Sequence, residues 1–544
     1  MKKTMKTLLA LMAGTLAFSA CSDEDAILNE NTGNATDATP ILTFNASTES
    51  DGATRAAIDG FDIKWQENDA ILMMDGTNNS KYNLDAECDG TTSGTFTVDG
   101  ESTAVSGENI YALYPYSEGS SRTVSQAEAE AAAGSRSSRL SMWKDYIDRG
   151  RESIVIDQMN SYGISAENQA IILAYLKGEK IGTPAPELSG ISITNVVIPD
   201  VQTVAVGQTV DPKAVLMVAK ADGEDLAFKN VCSYVKVTPT VDCKKIEVRA
   251  MGADLAGACT VAVSDEPTAS ITSDGKSVVT LKAEEGDLAA GISYYIAVLP
   301  GTKSNGIEVR FYTGEDTFNY NTRSTSFTFV RSKVHSGGNN SGASAAVWSQ
   351  NTNSNRWVFS VSDKSAIKTV TISTGVSGPM PDGAKALNSD ETLWSRKDAE
   401  NNYFIETSAS KILATNMEGA FNYLDYVESY SGLDNLDVSE VSTFSSCFRE
   451  NRYGLALLDL SSWQINPAAD TKQMFENCQN LNSLTLNNSF HSGYNIINRI
   501  GQTLPDGQYC IIYGVTDEAV KNDLNQPGST YDNTGYTKFK FDGE

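Results

Sequence analysis

Between residues 40 and 335, apolar residues occur in short runs separated by polar clusters. The runs are about five residues long and rich in Val, Ile, Thr, Tyr and Phe, and the clusters between them are rich in Gly, Asp and Asn. Such runs favour β-strands, because β-branched and aromatic side chains pack well on a pleated sheet. Turn signals about every 8 to 15 residues predict antiparallel β-sandwiches. The predicted strands are Ile41–Phe44, Ala70–Met73, Gly94–Val98, Ile110–Tyr114, Ala214–Ala219, Tyr234–Val237, Lys245–Ala250, Ser277–Leu281, Tyr294–Leu299 and Gly306–Tyr312.

One stretch, from about residue 124 to residue 180, has the pattern of helices. Gln126–Ala133 is rich in Ala and Glu, and Ser165 is a candidate N-cap for a second helix that runs through Lys177 and ends at Gly178. This stretch is the most basic part of the chain, which raises the alternative of a nucleic-acid-binding surface. Interleaved Glu and Asp residues favour a solvated helical insertion.

Phenylalanines recur at a fixed spacing in the C-terminal third. Phe421, Phe448 and Phe475 lie 27 residues apart, and each is followed by a Leu-x-x-Leu-x-[Leu/Val] phrase. The phrase leucines that define the repeat are Leu433, Leu436, Leu455, Leu458, Leu481 and Leu484. A fixed period predicts stacked copies of one unit that bury a continuous core, while the alternative is a chance pattern in a β-protein.

The repeat needs caps at both ends, since the end copies of a stack would otherwise expose their core. Residues 345–410 are expected to cap one end, after a polar linker at residues 336–344. A terminal β-α-β element is expected at the other end, with Thr516 as the N-cap of a helix over Asp517–Asp523.

The N-terminus has the features of a signal peptide at residues 1–20. Three lysines precede the apolar run Leu8–Ala20, which is too short to span a bilayer. The run ends in Phe18-Ser19-Ala20-Cys21, which resembles a bacterial lipobox. That resemblance implies a lipid on Cys21, and ordinary cleavage with Cys21 as an incidental thiol is the alternative. No later segment has the roughly 18 consecutive apolar residues of a membrane span, so the lipid is the expected membrane attachment.

Acidic residues follow directly, within a polar segment at residues 21–39. They form the sequence Ser22, Asp23, Glu24, Asp25. One interpretation is a flexible, solvated tether. The other is an export signal, because the sequence resembles the acidic signal of some Gram-negative lipoproteins that reach the outer leaflet. The second interpretation predicts a lipid-anchored protein of the outer membrane that is exposed on the cell surface.

Composition argues against several chemistries. The net charge of −27 opposes binding to nucleic acid, and the chain has only two histidines, which disfavours His-based triads and zinc sites. Phosphate loops and nucleophile elbows are absent from the sequence. We therefore expect no catalytic residues, no metal and no cofactor, although 69 acidic residues leave a glycosidase-type carboxylate pair open.

The cysteines after Cys21 are expected to be buried free thiols, because seven is an odd number and none forms a Cys-x-x-Cys pair. Cys232–Cys243 and Cys447–Cys478 disulfides are the alternatives.

Several phrases resemble fimbrillin-like proteins. They are Thr54-Arg55-Ala56, Trp65-Gln66-Glu67-Asn68-Asp69-Ala70-Ile71, Ile110-Tyr111-Ala112-Leu113-Tyr114-Pro115-Tyr116 and Tyr294-Tyr295-Ile296-Ala297-Val298-Leu299-Pro300-Gly301. The resemblance implies two tandem transthyretin-like β-sandwiches, at residues 40–195 and 196–335, as in type V pilus subunits. Two features depart from the pattern, namely Asn68 in place of the usual Gly and the helical insertion.

The same resemblance implies a route of assembly. A surface protease would cut between Arg55 and Ala56 and release the first strand, and a donor strand from another subunit would take its place. Donor strands of this family come from the end of the second sandwich, near Ser326–Val330 here. Some 200 residues follow that strand in this chain, so we expect it to be tethered and the subunit to accept a strand without donating one.

The repeat resembles the BspA-like leucine-rich repeats of bacterial surface lipoproteins. Thr415–Phe421 and Gln473–Cys478 match the Asn-Met-x-x-Met-Phe-x-x-Cys pattern in part, with Ala420 and Cys447 as departures at its second Met position. This resemblance implies a short α/β leucine-rich repeat domain at residues 345–544.

The fold class predicted is therefore mainly β, with two sandwiches, a helical insertion and a repeat domain. The predicted function is a non-enzymatic surface lipoprotein that serves as an adhesive, tip or accessory subunit of a type V-like pilus. Its partners would be other pilus subunits, and a protein or glycan ligand would bind the repeat domain. The alternative is a stand-alone glycan-binding lipoprotein. Aromatic residues that could stack on sugars or pack the core are Trp348, Trp357, Trp394 and Trp463.

Overall fold

Strands dominate the chain, as the hydrophobic pattern predicts, and a computed structural model shows how they are arranged. It describes residues 39–49, 63–119, 121–124, 126–182, 185–349, 364–491, 496–524 and 538–543.

Among the described residues, the first part of the chain has six strands, then four helices, then one further strand. Its strands are β1 (Thr43–Ser47), β2 (Ala70–Met74), β3 (Asn79–Leu84), β4 (Ser93–Val98), β5 (Tyr111–Tyr114), β6 (Ser121–Thr123) and β7 (Lys180–Gly182). Its helices are α1 (Gln126–Ala133), α2 (Leu140–Asp148), α3 (Glu152–Ser161) and α4 (Ala166–Lys177). Short 3-10 helices occur at Ala86–Cys88, Gly134–Arg139, Pro212–Ala214 and Leu433–Asn435.

The middle part is almost entirely strand. Its strands are β8 (Glu187–Ser189), β9 (Ser192–Ile198), β10 (Val201–Val204), β11 (Met217–Asp222), β12 (Asp225–Ala227), β13 (Lys229–Asn230), β14 (Ser233–Val237), β15 (Lys245–Ala250), β16 (Ala256–Ala262), β17 (Thr268–Lys276), β18 (Val278–Ala283), β19 (Tyr294–Val298), β20 (Gly301–Lys303), β21 (Ile307–Tyr312), β22 (Thr317–Arg323), β23 (Phe327–Phe329), β24 (Val334–Gly338) and β25 (Ala343–Ser349).

The C-terminal part has shorter strands joined by turns. Its elements are β26 (Thr369–Ser373), β27 (Lys385–Ala386), β28 (Leu393–Lys397), β29 (Asn402–Thr407), β30 (Lys411–Asn416), β31 (Ser429–Ser431), β32 (Leu436–Asp437), β33 (Leu457–Asp459), β34 (Ser483–Thr485), β35 (Cys510–Tyr513), α5 (Glu518–Leu524) and β36 (Phe539–Phe541).

The first sheet closes on itself. Its strand order is β12-β1-β4-β3-β2-β5-β11-β13, and β11 also pairs with β12, which joins the two sides of the sheet. Trp65 lies at the centre of the enclosed core, with the rings of Phe96, Tyr114 and Phe228 edge-on to it at 5.0, 5.3 and 5.7 Å. We call this closed sheet, with its enclosed core, the first β-module.

Strand pairing does not follow the predicted boundary between residues 195 and 196. Strands β11, β12 and β13, which lie after the boundary, complete the first β-module. Strand β9 crosses it and pairs with β16 of the next module, and β8, which lies before it, pairs with β9 in the same sheet. Strands that pair across this boundary lie far apart in the sequence, so the local composition does not reveal their pairing.

The helical insertion is confirmed. Helix α1 has the predicted bounds, and α4 begins after Ser165, whose side chain accepts a hydrogen bond from the backbone N–H of Asn168 at 3.3 Å. Gly178 ends α4 in the left-handed conformation, with a φ of 70°. The four helices bury their own core around Trp143.

One long sheet joins the second β-module, which comprises the middle-part strands outside the first sheet, to the C-terminal part. Its order is β10-β18-β15-β21-β22-β25-β30-β32. Strand β25 is interior, since it pairs with β22 on one side and with β30 on the other. The sequence predicts a linker at residues 336–344, but this segment contains the end of β24 and the start of β25. The prediction is wrong because the Gly and Ser residues of this segment adopt paired strand conformations.

The terminal β-α-β element is present, with a one-residue difference from the prediction. Helix α5 begins at Glu518, and the side chain of Asp517 accepts a hydrogen bond from the backbone N–H of Ala519 at 2.8 Å. Asp517 is therefore the N-cap in place of Thr516. The hydroxyl group of Thr516 instead accepts a hydrogen bond from the Asn488 side chain at 2.9 Å.

Candidate functional site

The first strand of the chain has a partner on both sides. Strand β1 is antiparallel to β4 over five residue pairs, from Thr43–Thr97 to Ser47–Ser93, and parallel to β12 from Asn45–Asp225 to Ser47–Ala227. Removing β1 would leave unpaired backbone groups on β4 and β12. Such groups are a template for an added strand.

The side chains of β1 alternate between core and solvent. Phe44 and Ala46 are buried in the first β-module, while their neighbours along the strand are exposed. The ring of Phe44 packs against Tyr82 at 5.5 Å, and the Tyr82 hydroxyl donates a hydrogen bond to the backbone oxygen of Ile41 at 2.6 Å. The position that β1 occupies thus consists of two edges and an apolar lining.

The strand expected to act as donor is short and bound within the chain. Strand β23, within the predicted range Ser326–Val330, pairs with β20 over three residues. The chain continues from it through β24 into the interior strand β25.

All nine residues predicted to form the repeat framework are buried. The rings of Phe421, Phe448 and Phe475 stack in order, with centroids 5.2 and 6.0 Å apart and interplanar angles of 23° and 15°. Their surroundings include the six framework leucines, namely Leu433, Leu436, Leu455, Leu458, Leu481 and Leu484.

The backbone around these rings repeats with the same period. The N–H of Phe421 donates to the oxygen of Cys447 at 2.8 Å, and the N–H of Phe448 donates to the oxygen of Met474 at 2.9 Å. Left-handed residues recur at Tyr423, Glu450 and Asn477, with φ of 57°, 66° and 62°. We call this segment, residues 417–478, the Phe stack.

The phrase strands do not form one sheet. Strand β32, which holds Leu436, pairs with β30 of the long sheet. The next two phrase strands, β33 and β34, lie in a separate parallel sheet with β35 and β36.

A buried lysine closes one end of the Phe stack. The ammonium group of Lys364 donates to the backbone oxygen and to the side-chain oxygen of Asn422, at 3.0 and 2.7 Å. Asn422 lies 27 residues before Arg449, so it occupies the corresponding position in the first copy. Burial lowers the pKa of Lys364 to about 7.

A partly buried charge cluster links the Phe stack to the second β-module. Glu440, from the turn after β32, accepts hydrogen bonds from Arg249 at 2.8 Å and from Arg310 on β21. Arg310 is only 4% exposed and also pairs with Glu308, while Arg249 pairs with Glu247 at 2.9 Å. This contact and the long sheet hold the two parts together.

The tryptophans that the structure describes do not offer a sugar-binding surface in the C-terminal third. Trp348, Trp394 and Trp463 are all buried, which agrees with core packing, and Trp357 lies outside the described residues. The exposed aromatic pair consists of tyrosines instead.

Tyr426 and Tyr453 are 53% and 50% exposed, with ring centroids 5.5 Å apart and a tilt of 40° between the rings. They lie 27 residues apart, which is the spacing of the repeat phenylalanines. A search for tyrosines at this spacing would have identified the pair from the sequence. Next to them, Arg452 donates a hydrogen bond to Glu450 at 2.6 Å. Half-exposed rings beside hydrogen-bonding groups suit a sugar ligand.

The cysteines from Cys88 to Cys510 are free thiols, so neither alternative disulfide forms. Burial raises the pKa of Cys259 and Cys510 to about 12 and that of Cys243 to about 11. These thiols are therefore poor nucleophiles at neutral pH.

Three sequence predictions lie outside the described residues. They concern Cys21, the acidic residues Ser22–Asp25 and the bond between Arg55 and Ala56. Among the residues that are described, no helix is long and apolar enough to cross a membrane, and no group of three or more His, Cys, Asp or Glu side chains could hold a metal ion.

Comparison with known proteins gives no family assignment. No family model and no curated protein matches the sequence. Solved structures that match include candidate cell adhesion proteins from Bacteroides ovatus (12% identity, 55% of this chain and 91% of that chain, TM-score 0.27) and Bacteroides uniformis (14%, 54% and 92%, 0.26). A fimbrial protein from Bacteroides ovatus also matches, with 11% identity over 56% of this chain and 49% of that chain and a TM-score of 0.23. These TM-scores are too low to show a shared fold.

Proposed function

We propose that this protein is a lipid-anchored surface subunit of a type V-like pilus that accepts a donor strand and does not donate one. The observation that carries the proposal is the position of β25 between β22 and β30. A donor strand must leave its own subunit, and the end of the second β-module instead runs into an interior strand. A subunit that only accepts a strand belongs at the tip of the pilus.

The strand that this subunit accepts would take the place of β1. Cleavage after Arg55 cuts the chain after β1 and lets the strand leave, and its place has two sheet edges and an apolar lining for a replacement. Lipidation of Cys21 and export through Ser22–Asp25 would bring the subunit to the outer face of the outer membrane before that cleavage.

The test of this function is the composition of complexes formed with pilus subunits. The chain nicked after Arg55 should enter mixed complexes, each with one copy of this chain. Complexes that contain several copies would contradict the tip assignment, and the absence of any complex would contradict strand acceptance.

A stand-alone glycan-binding lipoprotein is the second candidate, and the exposed Tyr426–Tyr453 pair favours it. If these rings stack on a sugar, Tyr426→Ala and Tyr453→Ala should each weaken glycan binding by about two- to tenfold, because one aromatic contact contributes about 0.5 to 1.5 kcal/mol. Glycan-array binding of the full chain measures this effect. Tyr509→Ala, at another half-exposed ring, is the matched control. Equal binding by all variants would contradict a role for the pair.

A further inference from the structure

A carboxylate from the N-terminal segment lies in a site built by other parts of the chain. Glu49 comes two residues after the end of β1. Its Oε2 atom accepts hydrogen bonds from Arg331 Nη1 at 3.0 Å, from the backbone N–H of Asn230 at 3.0 Å and from the hydroxyl group of Ser332 at 3.2 Å. Arg331 Nη2 also reaches the Oε1 atom, at 3.4 Å.

The residues around Glu49 hold one another in place. Arg331 Nη1 donates to the backbone oxygen of Asn230 at 2.8 Å, and the fully buried Asn230 side chain accepts from the hydroxyl group of Tyr234 at 3.2 Å. On its other side Arg331 binds Glu266, with Nη2 at 2.6 Å and Nε at 2.9 Å from the carboxylate. Ser332 has a φ of 56°, a conformation that is strained for serine and that is common at functional sites.

The electrostatics favour a charged ligand in this site. Burial alone would raise the pKa of Glu49, but hydrogen bonds from Arg331 and from the Asn230 N–H lower it below its usual value. A neutral side chain in the same position would leave the buried Asn230 N–H without a charged acceptor.

Glu49 links the N-terminal segment that contains β1 to residues outside the first β-module. Phe44 and Ala46 are buried in the first β-module, and Glu49 is bound to Arg331 and Ser332, which lie between β23 and β24. Cleavage after Arg55 would release all three contacts together, because the three residues lie on the same side of the cut. The Arg331, Asn230 and Ser332 groups would stay behind.

We infer that Arg331, Asn230 and Ser332 form a carboxylate-binding site that selects the strand occupying the β1 position. The inference rests on the proposed function, since it concerns the strand that replaces β1. The incoming strand should carry an apolar residue, a small residue two positions later and an acidic residue three positions after that. Phe44, Ala46 and Glu49 have this spacing in the chain itself.

The test uses the full chain, nicked after Arg55 and freed of its N-terminal peptide. Synthetic peptides of residues 39–55, either unsubstituted or with Glu49→Gln, are then titrated into it. The unsubstituted peptide should bind at least about tenfold more tightly, because hydrogen bonds to a charged group contribute about 1.5 to 3 kcal/mol. A peptide with Phe44→Asp is the control for burial and should not bind.

Two outcomes separate the inference from the function on which it rests. Equal affinity of the unsubstituted and Glu49→Gln peptides would overturn the carboxylate site and leave strand acceptance intact. Failure of every peptide to bind would overturn strand acceptance itself. A chain with Arg331→Gln should bind the unsubstituted and the Glu49→Gln peptides equally well. If that variant does not fold, the affinities of the two peptides for the unsubstituted chain still test the carboxylate site.

Discussion

Phe448→Ala is expected to lower the free energy of unfolding by about 4 kcal/mol, near the middle of the range for truncating a buried aromatic ring. Phe448 is fully buried and lies between two stacked rings, those of Phe421 and Phe475. Tyr430 also packs edge-on to it, at 5.4 Å. The substitution therefore opens a cavity in the middle of the Phe stack and removes aromatic contacts on several sides.

Chemical denaturation of the full chain measures this loss, and hydrogen exchange locates it. Faster exchange should be concentrated in residues 417–478. Phe448→Leu, which keeps most of the volume, should lose about 1 to 2 kcal/mol. A loss of less than about 1 kcal/mol for Phe448→Ala would show that the ring does not hold the stack together.

Glu440→Gln is expected to cost about 2 to 3 kcal/mol and to loosen the attachment of the Phe stack to the second β-module. The cluster balances three bases, Lys245, Arg249 and Arg310, with three acids, Glu247, Glu308 and Glu440. Removing the charge of Glu440 leaves the cluster with one positive charge in excess, next to the buried Arg310. Arg310 is sensitive to this change, because its Nη1 atom is already buried without a hydrogen-bond partner among the described residues.

The matched control for this variant is Glu418→Gln, which makes the same charge change at an exposed position. It should change the free energy of unfolding by at most about 0.5 kcal/mol. Faster hydrogen exchange in β21 and in the turn that holds Glu440 should accompany the loss in Glu440→Gln. If the two variants have the same stability, the cluster does not fasten the two parts together.

Local signals in the sequence predicted much of this fold. The strand at Lys245–Ala250 and the helix at Gln126–Ala133 have the predicted bounds, because their composition and flanking residues act over a few positions. The sequence also predicts helix α4, because Ser165 caps its start and Gly178 ends it. The fixed phenylalanine spacing identified the three rings that stack.

Contacts between distant segments could not be read in the same way. The predicted boundary at residues 195 and 196 missed that β11 and β12 close the first sheet, because pairing partners are set by tertiary packing. The same reason hid the contact between Glu49 and Arg331, which lie 282 residues apart. Nothing in the neighbouring sequence of Glu440 indicates its bonds to Arg249 and Arg310.

A subunit that accepts one strand and passes none on can enter each complex only once. The most direct measurement is native mass spectrometry of the chain, nicked after Arg55, mixed with pilus subunits purified from the same cells. Arg55→Gln, which resists cleavage at that bond, is the control and should form no complex. We expect complexes of increasing mass that each contain a single copy of this chain. Complexes with two or more copies, or equal assembly by the uncut control, would contradict strand acceptance without donation.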